Sequence, residues 1–396
     1  MANARPRLVR NTSVSSDGTP RSVARAAAGG MERQEALDAF RGIAIAAMIL
    51  VNNPGSWDAV YRPLQHAVWS GWTPADLIFP TFLFIVGVAI AFSLGTTAPG
   101  LPARRLLVGK VARRAATIFA LGILLNGFPR FDWSVLRIPG VLQRIALCYA
   151  GAALLVLTSG VRAQTVAAVL LVIGYWVAMA WLPFADAAPD RFAQQANLAS
   201  FIDRALLPDH LLHPEWDPEG LLSTLPALAT TLAGVLTGHW LRSQRNRWER
   251  LTGLFVAGDV ALGLGLLLNH WCPINKNLWT SSYVVFTAGM ALQGLGLCYW
   301  LIDILGYRGW AKPFTMYGTN PIVAYVLSSL LAKTLLLWQV VQPDGSKISL
   351  QQYLFAAVFL PFGDQKTASL LYAISYVLVW LGITAFLYRQ RVTIKV

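Results

Sequence analysis

Ten stretches of roughly twenty apolar residues, the length needed to cross a bilayer, are separated by short polar or charged breaks. They fall at 36–53, 75–95, 107–126, 139–158, 163–183, 221–240, 251–270, 280–304, 315–340 and 368–388. A helix rises 1.5 Å per residue, so each stretch matches a hydrocarbon core about 30 Å thick. In lipid, only helices and closed barrels satisfy their own backbone hydrogen bonds. The pattern predicts an all-α polytopic membrane bundle of about ten transmembrane helices. A further apolar stretch, 350–362, contains Pro361 and is too short to span. It is expected to be interfacial or re-entrant.

Composition agrees. Of 396 residues, 56% are hydrophobic and 13% charged, against about 25% charged in a soluble domain. Fifteen Trp suit a membrane interface. The formal charge of +13 comes from basic residues placed between apolar segments, with no recognition fold around them, so nucleic acid is not an expected partner. Cys148, Cys272 and Cys298 are too scattered for a disulfide framework or a thiolate metal site.

Lys and Arg are enriched in cytoplasmic loops. With the N-terminus inside, twenty-one of them fall on the cytoplasmic side and nine on the other. Both termini are therefore expected in the cytoplasm. Residues 1–35 read as a disordered basic tail and 36–390 as the transmembrane domain, with 184–220 as its largest extracytoplasmic loop. Residues 391–396 form a short cytoplasmic tail. No internal repeat is visible.

Ionisable side chains at membrane depth point to function by default. In LDAFRG (Leu37–Gly42), Asp38 and Arg41 are spaced i, i+3 and share a helix face. So close to the helix start, the same pair also reads as a dipole partner and a snorkelling anchor. The first helix ends in Asn52, Asn53, Pro54 and Gly55, and the next segment carries His66 among Trp57, Trp69 and Trp72. A loop histidine is ordinarily just solvated, but three indoles form a half-buried apolar setting able to shift its pKa. Thr73, Pro74 and Asp76 read as a helix start with Thr as N-cap. His66, Asp76 and the amides of Asn52 and Asn53 thus meet on one outer face. A base, an orienter and neutral donors are what acyl transfer needs.

Asp217, Pro218, Glu219 and Gly220 read as the capped opening of the sixth helix. Lys276 lies between two asparagines in INKNLW (Ile274–Trp279), as an interfacial anchor would. Arg144 in the fourth helix has no partner nearby in sequence. YGTNP (Tyr317–Pro321) either caps the ninth helix or breaks it inside the membrane. No phosphate loop, nucleophile elbow or metal-ligand spacing is present, so no metal is expected.

LDAFRG, the polar turn after Val51 and LQHAVWSGWTPADLIFPTFLFIVG (Leu64–Gly87) resemble the heparan-alpha-glucosaminide N-acetyltransferase family. DPEGLLSTLPA (Asp217–Ala227), INKNLWTSSYV (Ile274–Val284) and YGTNPIVAY (Tyr317–Tyr325) are similar to its later motifs, in the same order. The resemblance covers residues 35–390. It implies a transmembrane enzyme that takes acetyl from cytoplasmic acetyl-CoA to a glucosamine amine on the far side. His66 falls on the family's catalytic histidine, and Asn52 on the asparagine near the transferred acetyl group. The sequence does not contain the large lumenal domain of the lysosomal member. A shorter, bacterial-type amino sugar is the expected acceptor, and a bacterial inner membrane the expected location.

On that reading, Arg41 with Asp38, and Arg113, Arg114 and Arg144, are the candidates for holding acetyl-CoA. The catalytic candidates are His66, Asn52 and Asp76. Asn53, Trp69, Asp217, Glu219, Lys276 and Asn277 are candidates for the acceptor. Membrane lipid is a further expected partner, and a homodimer is left open. An amino-sugar transporter, or an O-acyltransferase of envelope glycans, would use similar residues.

Overall fold

In the computed structural model, which describes residues 35–95, 101–185, 187 and 189–394, every one of the ten apolar stretches is helical. The tail expected over 1–35 lies outside the described residues apart from Glu35, as do Asp186 of the long loop and Lys395. The chain order is α1 (Glu35–Asn52), α2 (Ile78–Leu94, preceded by a 3-10 turn at Pro74–Leu77), α3 (Leu101–Gly127), α4 (Val141–Thr158) and α5 (Val161–Trp181). Then come α6 (Leu198–Leu206), α7 (Thr224–Leu241), α8 (Arg247–Leu268) and α9 (Ser281–Cys298), which runs on through a π-helical stretch to Ile304. They are followed by α10 (Lys312–Thr319), α11 (Pro321–Leu337), the two-stranded antiparallel hairpin of β1 (Gln339–Val341) and β2 (Lys347–Ser349), α12 (Leu350–Leu354) and α13 (Gln365–Arg389).

The expected count of ten spans is corrected. Among the described residues, six helical segments are long and apolar enough to cross a membrane, or seven if α10 and α11 count as one bent span. The three that fall short carry polar side chains along their length. α1 holds Glu35, Asp38 and Arg41; α3 holds Arg104, Arg105, Lys110, Arg113 and Arg114; α7 carries Thr224, Thr230, Thr231, Thr237 and His239. Two of these three line the charged cavity described below or pair beside it. Part of their polarity therefore serves that cavity. Residues 350–362 form a short apolar helix.

α2 and α7 cross closely because each sets a glycine against the other's backbone. A Cβ on Gly87 would lie 1.9 Å from the Thr231 carbonyl oxygen, and one on Gly234 the same distance from that of Phe84. Such approach is open only to glycine. Leu83, Phe84 and Ile85 are fully buried around this crossing. By contrast, Val166, Leu170, Ile173 and Val177 on α5, and Val256, Val260, Leu264 and Leu267 on α8, turn outward. Helices apolar on their exposed faces are suited to lipid.

The YGTNP motif breaks its helix. α10 and α11 meet at 84°, with Asn320 at the corner and Pro321 opening α11. Asn320 is 1% exposed. Its side chain donates to the Val392 carbonyl (3.0 Å) and accepts from the Ile394 N–H (2.8 Å). The bend thereby holds the segment that follows α13.

Candidate functional site

The segment between α1 and α2 folds around one buried carboxylate. Asp76 is 1% exposed. Its Oδ2 accepts from the backbone N–H groups of Ala67 and Thr73, each at 3.0 Å, and from the Thr73 hydroxyl at 3.1 Å. The start signal Thr73-Pro74-Asp76 is thus present, and the same carboxylate has an oxygen to spare. That oxygen, Oδ1, lies 2.8 Å from His66 Nδ1. Gly71, at a φ of +97° that favours glycine, donates its N–H to the Ile274 carbonyl at 2.8 Å. The Tyr283 hydroxyl of α9 donates to the Asp76 carbonyl.

The link to Ile274 brings in the turn between α8 and α9. There Asn275 Oδ1 accepts from the Leu278 N–H (2.9 Å), and Trp279 sits at φ +52°. This tight turn delivers Lys276 to the pair: its Nζ is 3.0 Å from His66 Nδ1 and 3.5 Å from Asp76 Oδ1. Burial pulls the Lys276 amine below the ordinary lysine range, against the opposing pull of Asp76. His66 keeps 41% of its side chain exposed. With Nδ1 engaged on both sides, Nε2 is the nitrogen left for chemistry.

The three indoles expected around His66 go elsewhere. Trp57 is exposed, Trp69 donates to the Phe192 carbonyl (2.8 Å) and meets Trp216 edge-on, and Trp72 packs on Phe286. Asn52 is exposed at the end of α1, whereas Asn53 is buried and donates to the Ile49 carbonyl at 2.7 Å. Asn277 is half-buried in the Lys276 turn.

Asp217 and Glu219 do not cap a helix. α7 starts later, at Thr224, with Ser223 as N-cap. Arg137, from the α3–α4 connection, forks onto Asp217 at 2.8 and 2.6 Å and also donates to Glu219. The reason for the different outcome is a partner 80 positions away. Both carboxylates neutralise a largely buried guanidinium, and they raise its pKa against the effect of burial. Beneath them Arg144 is fully buried, donates to the Gly220 carbonyl (3.1 Å) and Ser223 Oγ, and lies 5.0 Å over the Trp279 ring.

A cavity of about 620 Å³ opens elsewhere in the bundle, lined by Arg41, Lys110, Arg113 and Arg114. Arg41 pairs with Asp38 at 3.0 Å, and Arg114 lies 5.0 Å over the Tyr149 ring. Arg144 is not in the lining, so the four arginines proposed as one group divide, three in the cavity and one pinned under Gly220. Lys110 was missed in sequence, although it stands one helical turn before Arg113 and Arg114. Thr393 and Ile394, held by Asn320, also line the cavity. Along α2 the lining runs from Leu94 to Phe82, ending about 9 Å of helix rise from Asp76.

A helical bundle with apolar outer faces, a His–Asp–Lys cluster and an open, cation-lined cavity is a multi-pass membrane protein with a polar site built into it. Residues 33–265 match the family model described as heparan-alpha-glucosaminide N-acetyltransferase, catalytic, and the chain belongs to that family. It is similar to heparan-alpha-glucosaminide N-acetyltransferase of Homo sapiens, at 29% identity over 59% of this chain and 42% of the relative. The relative of the same name from Mus musculus is 27% identical over the same shares. The chain thus aligns with less than half the length of these curated relatives. His66, Asp76, Arg41, Arg113 and Arg137 fall inside the family match; Lys276 and Asn320 lie beyond it.

Proposed function

We propose that the chain is a transmembrane N-acetyltransferase that passes acetyl from cytoplasmic acetyl-CoA to the amine of a glucosamine-type sugar on the extracytoplasmic side. The observation that carries this reading is the relation of the two sites: a cavity lined by three arginines and a lysine runs along α2 toward the His66–Asp76 pair. Its volume lies within the 300–1,000 Å³ of small-molecule sites. Guanidinium forks match phosphate oxygens bidentately, so Arg41, Arg113 and Arg114 fit the diphosphate and ribose phosphate of CoA. Acetyl-CoA, when bound, supplies the acetyl group as a thioester.

His66 does the chemistry through Nε2. Asp76 fixes the ring with Nδ1 inward, and Nε2 removes the proton from the sugar ammonium and frees its lone pair, or takes the acetyl group itself. Asn52, exposed at the end of α1, is the proposed donor to the oxyanion of the tetrahedral intermediate. Asn53, already bonded to Ile49, supports α1 instead. Trp69, Asp217, Glu219 and Asn277 are the proposed acceptor-side residues, with Glu219 already paired to Arg137. The distribution of Lys and Arg supports a cytoplasmic N-terminus and C-terminus in this proposal, and a bacterial inner membrane is the proposed location.

The test is His66→Ala in proteoliposomes supplied with acetyl-CoA on one side and glucosamine on the other. Loss of N-acetylglucosamine formation, with folding unchanged, is the expected result; full activity removes His66 from the reaction. Mass spectrometry of the product separates amine from hydroxyl acetylation.

A further inference from the structure

The contacts around His66 Nδ1 contain more partners than one nitrogen can serve in a single state. Asp76 Oδ1 at 2.8 Å requires a proton on Nδ1 if it is to accept, and the Lys276 ammonium at 3.0 Å requires that Nδ1 be bare. A neutral imidazole carries one N–H, so the two bonds are alternatives. Which nitrogen holds it is decided by the partner groups. We propose that Lys276 is a positioning residue whose charge selects the tautomer of His66. This proposal rests on the reading of His66 as the reacting group.

With Lys276 as a neutral amine, Nδ1–H donates to Asp76 and Nε2 is left with its lone pair, as a base or nucleophile must be. With Lys276 as an ammonium, one of its protons is donated to Nδ1, the ring hydrogen resides on Nε2, and His66 is switched off. The exchange balances. The Nδ1–H bond breaks with its electron pair staying on the ring, its proton passes to the Lys276 amine 3.0 Å away to make the ammonium, and one proton from solution closes the Nε2–H bond, so that one proton is taken up in all. The site is built to make both states accessible. Lys276 is mostly buried, 16% exposed at the side chain, in a turn between α8 and α9. The groups facing it are His66 and Asp76 from the α1–α2 segment and Glu219 from the segment before α7. Tyr283 of α9 reaches the Asp76 carbonyl, and Arg144 lies across the Trp279 ring. Burial favours the neutral amine, and Asp76 and Glu219 oppose it.

Two variants and one measurement on the unaltered protein test this. Lys276→Met removes the competing donor: the acidic limb of its kcat–pH profile is expected to be displaced to lower pH than in the parent. Lys276→Arg keeps a cation at every working pH and is expected to lose at least tenfold in kcat throughout, with thermal stability unchanged. In the unaltered protein, carbethoxylation of His66 by diethyl pyrocarbonate, followed by peptide mass spectrometry, is expected to rise with pH along the same curve as kcat. In Lys276→Met that curve is expected to shift down as its kcat profile does. A Lys276→Arg enzyme with the parent kcat and profile would overturn the proposal. So would a His66 reactivity curve that Lys276→Met leaves in place. The reading of His66 fails separately, through an active His66→Ala.

Discussion

Asp76 holds His66 with one carboxylate oxygen and its own loop with the other. Oδ1 is 2.8 Å from His66 Nδ1, while Oδ2 takes the N–H groups of Ala67 and Thr73 at 3.0 Å each. The histidine is therefore positioned by the same group that folds the segment carrying it. A merely orienting carboxylate would not also be tied to the backbone at two points of the segment that follows its partner.

Asp76→Asn is nearly isosteric and retains an acceptor, but its amide has lost the charge that stabilises a ring with Nδ1–H inward. We expect kcat to fall by about 100-fold or more, within the 10²–10⁴ attributable to a positioned acid–base group. Asp76→Ala is expected to lose folded protein as well, because the Ala67 and Thr73 N–H groups lose their acceptor. Steady-state kinetics beside size-exclusion yield separates the two effects.

Arg113→Ala and Arg114→Ala remove cavity-lining guanidinium groups far along the chain from His66. A hydrogen bond to a charged group contributes about 1.5–3 kcal/mol, so each variant is expected to raise the KM for acetyl-CoA by about 10- to 100-fold and leave kcat nearly unchanged. Arg144→Ala should behave differently. Its guanidinium is engaged with Gly220 and Ser223, so the predicted loss is of stability and of activity together. Titrating KM against acetyl-CoA and measuring thermal unfolding in detergent distinguishes the classes.

Gly87→Ala places a methyl 1.9 Å from the Thr231 carbonyl oxygen. Neither backbone has a flexible end that could yield. The expected destabilisation is at the top of the range for overpacking, about 3 kcal/mol or more, read as a lower melting temperature. Gly109→Ala meets nothing within 4 Å and is the matched control, expected to leave the melting temperature unchanged.

Asp203, in the short helix α6, is 2% exposed, and burial pushes its carboxyl up to about 6 from an ordinary 3.8. The folded state therefore holds a proton that the unfolded state has released. Stability is expected to fall as pH rises from about 4 to about 6 and to level off above, by on the order of 3 kcal/mol at most. Asp203→Asn keeps an oxygen for the Leu221 N–H that Oδ1 now accepts and should flatten this dependence. Melting temperatures at pH 4.5 and 7 give the answer: a parent-like slope in the variant assigns the effect to another group.

The sequence made the helices legible because each apolar stretch is a local property, and all ten are helical. Their number as spans was not, since three of them carry charged or polar residues, some of which serve a cavity or a crossing. His66 and Asp76 were readable together because only ten positions separate them and a helix-start motif fixes one of the two. Lys276 stood out in its asparagine-flanked turn, yet its contact with His66 spans 210 positions and belongs to packing alone. Asp217 misled for the same reason. Its cap-like setting is local, while Arg137, which decides where its carboxylate goes, enters from another connection.

Asn320 has a consequence for the order in which the molecule is made. It binds Val392 and Ile394, so the wall that Thr393 and Ile394 give the arginine-lined cavity is added only once the segment following α13 has been made. The histidine segment is synthesised more than three hundred residues earlier. A chain still in translation can thus fold the loop around Asp76 before it has a finished cavity to serve it. The two halves of the site become one only after the segment that follows α13 has been made.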